Sequence, residues 1–245
     1  MENSKAYDLP IRIFHWTFAL LFVMSFSIAK LIDDDSALYA YHMISGILMV
    51  FLVVLRIVWG FVGSKTSKFT SFKLRPSELI EYLKSVVSSK SKRYLGHNPA
   101  SSYAAVLMMV STLGIGLSGL LMTLGISKHF FEEIHELLAN GFLIIVLFHI
   151  AGVLLHQFKH NDGMIYSMLN GKKAKVDVES EIKSNHIIVA LVFVMLLSAM
   201  GSYLLKSFDR DTGKLNAFGT QLQLGEGGSS FIIEEHDDDH EEDDD

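Results

Sequence analysis

The sequence predicts an all-α membrane protein. Half of its 245 residues are hydrophobic, yet the chain also carries 27 acidic and 21 basic residues, so charged and apolar residues are segregated along it. Five apolar runs are each long enough to cross about 30 Å of hydrocarbon as a helix. These runs lie at about 11–32, 41–63, 101–124, 134–158 and 186–205. We therefore expect five transmembrane helices.

Polar caps and prolines mark the ends of several runs. Asp8 precedes Pro10 at the first run, and Asn98 directly precedes Pro99 at the third, which is the pattern of a helix N-terminus. Residues 161–163 read Asn-Asp-Gly and indicate the end of the fourth run. The first run is longer than the apolar part of a signal peptide, and no convincing cleavage site follows it. We expect it to be a retained membrane helix.

The distribution of basic residues predicts the orientation. Fifteen of the 21 lysines and arginines lie in the N-terminal segment and in the 64–100 and 159–185 loops, and five lie on the opposite side. Because basic loops stay in the cytoplasm, we expect a cytoplasmic N-terminus and a periplasmic C-terminus. Within the 64–100 loop, Pro76 opens an amphipathic stretch that reaches Val87 and is expected to lie along the cytoplasmic membrane surface.

Several classes of chemistry have no support in the sequence. The chain has no cysteine, which removes disulfides, iron–sulfur clusters and the covalent attachment of c-type haem. It shows no Gly-rich phosphate loop, no HExxH motif and no nucleophile elbow. We therefore expect no hydrolytic activity and no nucleic-acid partner.

Four histidines in the apolar runs pair by depth. His135 and His149 lie fourteen residues apart in the fourth run. An α-helix turns about 100° and rises about 1.5 Å per residue, so the two imidazoles project from one face about 21 Å apart along the helix. An ionisable residue at membrane depth indicates a functional site. By depth, His15 and His149 form an inner pair, and His42 and His135 form an outer pair.

Two imidazoles on facing helices are what a six-coordinate b-type haem requires, so the two pairs predict two stacked haems in a helical bundle. The competing interpretation is hydrogen bonding between helices. His156 follows His149 by seven residues and points to nearly the same face, so depth alone leaves it open as a partner of His15. The remaining histidines between the runs are expected at interfaces or helix caps: His97, His129, His160 and His186.

Residues near the histidines fit a haem without requiring one. Gly46 and Ala139 each follow an outer histidine by four residues, and their small side chains leave space on those helix faces for a porphyrin. Arg56 follows His42 by fourteen residues, on the same face at the inner level. It could meet a carboxylate of the inner haem, or its side chain could reach the membrane interface. Both interpretations stay open.

The C-terminal tail from Lys206 carries thirteen acidic and three basic residues. Like charges with few apolar groups predict disorder. Solvation is its simplest role, and electrostatic docking of a basic periplasmic electron carrier is the functional alternative. His236 and His240 among the carboxylates are a third, weaker possibility as a divalent metal site.

Four segments resemble the bacterial cytochrome b561 and Ni/Fe-hydrogenase-type b cytochromes, in the family's order. They are residues 7–16 with the Phe-His-Trp motif, 56–64, 93–99 and 133–140. The resemblance extends from about residue 7 to 173. It implies a four-helix bundle that binds two haems b. His15, His42, His135 and His149 are the implied ligands, which favours His149 over His156.

The resemblance also implies a function. Such proteins relay electrons across the bacterial inner membrane between the quinone pool and a partner, such as a dehydrogenase or reductase subunit or a periplasmic cytochrome c. One branch oxidises superoxide instead, so a superoxide:quinone oxidoreductase is an alternative. A haem-free membrane protein that handles metals or acts as a scaffold is the alternative from another class. Phe14, Trp16 and Tyr94 are the candidate quinone contacts near the inner haem.

The prediction is therefore an all-α transmembrane four-helix haem-binding bundle with a fifth transmembrane helix and a disordered acidic tail. The dihaem cytochrome b domain is expected at 1–175, the additional helix at 176–205 and the tail at 206–245. Because two axial imidazoles leave iron no open position, we expect an electron-transfer subunit rather than a stand-alone enzyme.

Overall fold

The computed structural model describes residues 3–34, 36–88, 94–174 and 182–224. In this part of the chain five helices are long and apolar enough to cross a membrane, as the sequence predicted. The α-helices are α1 (Leu9–Leu31), α2 (Ala40–Val62), α3 (Pro76–Val87), α4 (Pro99–Thr123), α5 (Lys128–His160), α6 (Met164–Asn170) and α7 (Ile187–Ser207). The prediction of a transmembrane helical bundle is confirmed.

Three of the helix ends lie at the polar residues that the sequence predicted. The Asp8 carboxylate accepts a hydrogen bond from the Ile11 N–H at 3.1 Å, and the Asn98 side chain accepts one from the Ser101 N–H at 2.8 Å. Each cap satisfies a backbone donor that a helix N-terminus leaves free. After α5, Asn161 adopts a left-handed conformation with φ of 46° and ends the helix.

The transmembrane helices pack as two hairpins and one added helix. α1 packs against α2, and α4 packs against α5, while α7 lies against α1 and α2. Small residues allow close approach, since a Cβ added at Gly116 of α4 would lie 2.2 Å from a methyl carbon of Val50 in α2. The outer faces expose large apolar side chains, and Leu20, Phe148 and Leu191 are between 64% and 74% exposed. Such a surface suits lipid.

A two-stranded sheet joins the start of the chain to the end of α6. Strand β1 (Asn3–Lys5) pairs antiparallel with β2 (Lys172–Ala174). The pairing sets α6 beside the first turns of α1, where the Trp16 indole N–H donates to the Met168 carbonyl at 2.9 Å. The fold thus builds a small polar cap on the end of the bundle that contains the N-terminus of α1.

The first part of the acidic tail is ordered, so the prediction of disorder from Lys206 is wrong for this part. Three short strands, β3 (Phe208–Asp209), β4 (Lys214–Ala217) and β5 (Thr220–Gln223), form an antiparallel sheet directly after α7. The acidic run from residue 225 onward, which includes His236 and His240, lies outside the described residues.

Burial of apolar side chains explains this sheet. Phe208, Leu215 and Leu222 pack with Ala40 and with Leu204 near the ends of α2 and α7. Leu204 and Leu215 are fully buried. These few apolar positions offset the entropy cost of ordering a short segment whose overall charge had predicted disorder.

Candidate functional site

The outer histidines face each other across the bundle. His42 lies in the first turn of α2 and His135 in the second turn of α5, and their ring centroids are 6.3 Å apart with the planes at 67°. The helices were predicted to bring these two residues to one level, and the structure does so.

Main-chain carbonyls orient both outer rings. His42 Nδ1 lies 2.9 Å from the Ser25 carbonyl oxygen, and His135 Nδ1 lies 3.1 Å from the Ile115 carbonyl oxygen. A carbonyl only accepts, so Nδ1 must carry the proton and donate it. In the neutral ring Nε2 then keeps its lone pair. This is the usual arrangement of a metal-binding histidine, whose second nitrogen donates to a carbonyl or carboxylate.

Two serines complete these contacts, and the sequence interpretation missed them. Ser25 Oγ lies 3.0 Å from His42 Nδ1, and Ser118 Oγ lies 3.1 Å from His135 Nδ1. Each serine stands seventeen residues before its histidine, in the preceding helix of the same hairpin. A polar residue at matching depth in the neighbouring apolar run is the signal that could have found them.

The spacing of the outer rings fits a haem iron. With bonds of about 2.0 Å to the metal, and each ring centre about 1.1 Å behind its bonding nitrogen, two axial imidazoles have centres about 6.2 Å apart. The observed 6.3 Å agrees. A Cβ added at Gly46, one turn after His42, would meet nothing within 4 Å, so the helix face there is open as expected.

The inner histidines are also neighbours. The rings of His15 in α1 and His149 in α5 are close enough to interact electrostatically, and His149 interacts in the same way with His97. The structure therefore places the members of both predicted pairs within electrostatic range of each other. It adds His97, which precedes α4, to the inner group.

Arg56 is buried at this inner level. It is 4% exposed, and its guanidinium carbon lies 5.2 Å from the ring centre of Phe69 and 5.8 Å from that of Phe72. Its Nη1 is enclosed and has no hydrogen-bond partner among the described residues. A buried donor without an acceptor costs free energy, so this atom fits an anionic oxygen. The enclosed side chain fits the carboxylate interpretation, which stays a prediction.

His97 presents a second enclosed nitrogen. Its Nδ1 is buried without a hydrogen-bond partner in the described part of the chain, and its ring centre lies 4.7 Å from that of Phe72. Burial, followed by the positive charge of Arg56, lowers the pKa of His97 to about 3, so the ring is neutral at physiological pH. Packing against Phe72 places the ring inside the fold, and the predicted interfacial or capping role of His97 stays a prediction.

His156 is engaged in a separate network. Its Nε2 lies 3.1 Å from Asp162 Oδ2, and its Nδ1 lies 3.3 Å from the Tyr82 hydroxyl. Asp162 Oδ2 also lies 3.2 Å from Lys173 Nζ, and both side chains are 1% exposed. A ring with both nitrogens hydrogen-bonded has no lone pair aimed at a metal, so this geometry favours His149 as the ligand.

The same network shifts two pKa values. Burial by itself raises the pKa of the Asp162 carboxyl, but the hydrogen bonds and charges of His156 and Lys173 outweigh burial and lower it to about 2. Burial raises the pKa of the Tyr82 hydroxyl to about 12, with further contributions from Tyr94 and Asp162. Asp162 is therefore ionised and Tyr82 neutral at physiological pH.

The other predicted residues lie as follows. His129 is exposed and pairs with Glu133 at 3.8 Å, and His186 occupies the N-cap position of α7. Phe14 packs against Phe18, and Tyr94 packs against Tyr82. Of the three candidate quinone contacts, Trp16 lines a surface cleft and is 48% exposed.

Comparison with known proteins identifies a family. A family model described as prokaryotic cytochrome b561 matches residues 6–171. The chain belongs to the prokaryotic cytochrome b561 family. It is therefore a multi-pass membrane cytochrome of the b type that binds haem and transfers electrons. No curated protein and no solved structure gives a significant match to the chain.

The match to cytochrome b561 also sets a boundary. It covers α1 to α6 and ends at Gly171, so α7 and the sheet β3–β5 lie beyond it.

Haem binding by this family counts against the haem-free alternative. Among the described residues, no group of three or more metal-ligating side chains forms another metal site. The tail histidines that were considered as a metal site, His236 and His240, lie outside the described residues.

Proposed function

We propose that this cytochrome b561 holds two haems b and passes electrons across the bacterial inner membrane between quinol and a redox partner. The outer haem would bind His42 and His135, and the inner haem His15 and His149. The outer pair is the observation that carries the proposal, because its ring centres are 6.3 Å apart and both Nδ1 atoms face main-chain carbonyls.

Haem, when bound, supplies a one-electron ferric–ferrous couple. The protein would position and enclose it. The Ser25 and Ile115 carbonyls hold the outer imidazoles in the tautomer that leaves Nε2 available. At the inner level, the enclosed Arg56 Nη1 would meet a haem carboxylate.

The partner and orientation belong to the same proposal. The basic loops support a cytoplasmic N-terminus, which makes His15 and His149 the cytoplasmic pair. The acidic C-terminal run would then lie in the periplasm, where it would steer a basic electron carrier such as a cytochrome c in a salt-dependent way. The membrane-embedded bundle would exchange electrons with quinone from the lipid phase.

Haem quantitation tests the ligand assignment. Purified wild-type protein should contain two haems per chain, and His135→Ala and His149→Ala should each contain one, with a reduced-minus-oxidised spectrum of about half the amplitude. His129→Ala is the matched control, because His129 lies on α5 but is exposed, and it should retain two haems. A wild-type protein without haem, or loss of haem in the control alone, would overturn the proposal.

Reporter fusions test the orientation. A periplasm-dependent reporter such as alkaline phosphatase should be active after residue 224 and inactive in the 64–100 loop. The opposite pattern would reverse the assignment of the inner and outer pairs.

A further inference from the structure

We propose that the cleft between α1, α6 and α7 is the quinone headgroup site of this protein. The inference rests on the proposed function, since it places the quinone that the electron transfer requires. The cleft has a volume of about 360 Å³ and is lined by residues of all three helices, including Trp16, Met168 and Val194. That volume is within the range of small-molecule sites.

The position of the cleft favours a redox ligand. Trp16 lines it, and the Trp16 ring lies 5.4 Å from the ring of His15, the proposed inner ligand. A headgroup in the cleft would therefore be separated from His15 by the Trp16 side chain. The surrounding faces of α1 and α7 expose apolar side chains such as Leu20 and Leu191, so an isoprenoid tail could enter from lipid.

The polarity of the lining favours a neutral quinone over an anionic lipid headgroup. Of the eight described residues around the cleft, one is a cation, Arg12, and most of the others are apolar. The Arg12 guanidinium already donates to the Leu169 carbonyl through Nη2. A phosphate would require several charged donors, whereas a quinone carbonyl requires a single hydrogen bond.

Arg12 offers that hydrogen bond. Its Nε is buried and has no partner among the described residues. The guanidinium is held at the end of α6, where a Cβ at Gly171 would come within 3.2 Å of Nη1, so glycine leaves it room. A guanidinium held by the Leu169 carbonyl, with an Nε–H that has no partner among the described residues, suits a ligand that is flat, apolar and carbonyl-bearing.

The role of α7 follows from this site. Val194 of α7 forms one wall of the cleft, and α7 lies outside the segment matched by the family. The fifth membrane helix would therefore complete a binding site that α1 and α6 leave open.

Photolabelling with an azido-quinone tests the inference on the haem-loaded protein in lipid nanodiscs. In the wild type we expect label on the peptide that contains Met168 or on the one that contains Val194. Val194→Trp should fill the cleft, abolish that label and raise the KM for a short-chain quinol at least tenfold in haem reduction. Haem content and dithionite-reduced spectrum should be unchanged. Met195→Trp is the control, since Met195 is the next residue and is 61% exposed, and it should behave as wild type.

The outcomes separate the two proposals. If the wild type contains no haem, the proposed function fails irrespective of quinone labelling. If haem is present but Val194→Trp keeps both its label and its KM, or if Met195→Trp is equally impaired, the cleft is not the quinone site. A phospholipid that co-purifies with the wild type and is lost with Val194→Trp, without any quinone label, also overturns it. If Val194→Trp loses haem, the smaller Val194→Phe replaces it, with the same expected losses.

Discussion

Asp162→Asn removes the negative charge from a buried ion pair while preserving the shape of the side chain. Asp162 Oδ2 lies 3.2 Å from Lys173 Nζ, and at an effective dielectric constant of about 20 two unit charges at that distance attract by about 5 kcal/mol. Loss of one partner of a buried pair costs about 3–5 kcal/mol, because the other charge stays buried without compensation. The Tyr94 carbonyl, 2.7 Å from Lys173 Nζ, remains as an acceptor, so we expect about 3 kcal/mol.

Thermal unfolding in detergent measures this effect. For a chain of this size, a loss of about 3 kcal/mol corresponds to a Tm decrease of roughly 6–12 °C. The double variant D162N/K173M removes both charges, leaves His156 an acceptor and should recover most of the loss, because no buried charge is then left without a partner. Glu133→Gln, which breaks an exposed pair, is the control and should change Tm little. A wild-type Tm in Asp162→Asn, or a double variant as unstable as the single one, would refute the reasoning.

Three further predictions concern separate features. His149→Ala should lose one haem and His156→Ala none, measured by haem quantitation, and equal losses would contradict the assignment of His149. Gly116→Ala should lower stability by about 1–3 kcal/mol, because its Cβ would overlap α2, whereas Gly141→Ala, which meets open space, should not; equal Tm values would exclude the tight contact. The Asp162 carboxyl has a lowered pKa, so its contribution to stability is present above its ordinary value of 3.8 and lost as pH falls toward about 2. Unfolding curves of the wild type and Asp162→Asn should therefore converge over that range, and a constant difference would contradict this sign.

The membrane helices could be predicted from the sequence because their signals are local. The length of an apolar run and the polar residue that caps a helix can both be read from residues adjacent in the sequence. Asp8 and Asn98 cap α1 and α4 as predicted. α5 nevertheless begins at Lys128, six residues before its apolar run, because the first turns of a membrane helix can be polar where they meet the interface. The depth pairing of histidines also worked, since helical rise fixes depth.

Contacts between distant segments could not be predicted in this way. His97 was expected at an interface or a helix cap because it lies in a loop, and its enclosure depends on how that loop packs against Phe72 and Arg56. The network of His156 joins α3, the end of α5 and strand β2, which share no local pattern. The order of residues 208–224 was missed because the charge of the whole tail masked a few well-spaced apolar residues.

The main chain supplies one of the two groups that contact each outer imidazole, and a serine hydroxyl supplies the other. Point substitution at Ser25 or Ile115 changes a side chain and leaves the carbonyl oxygen in place. The orientation of both rings therefore depends on the path of the helices as well as on the two serine hydroxyls. The serine and the histidine are seventeen residues apart in both hairpins. The two halves of the outer site, His42 with Ser25 and His135 with Ser118, are therefore built in the same way.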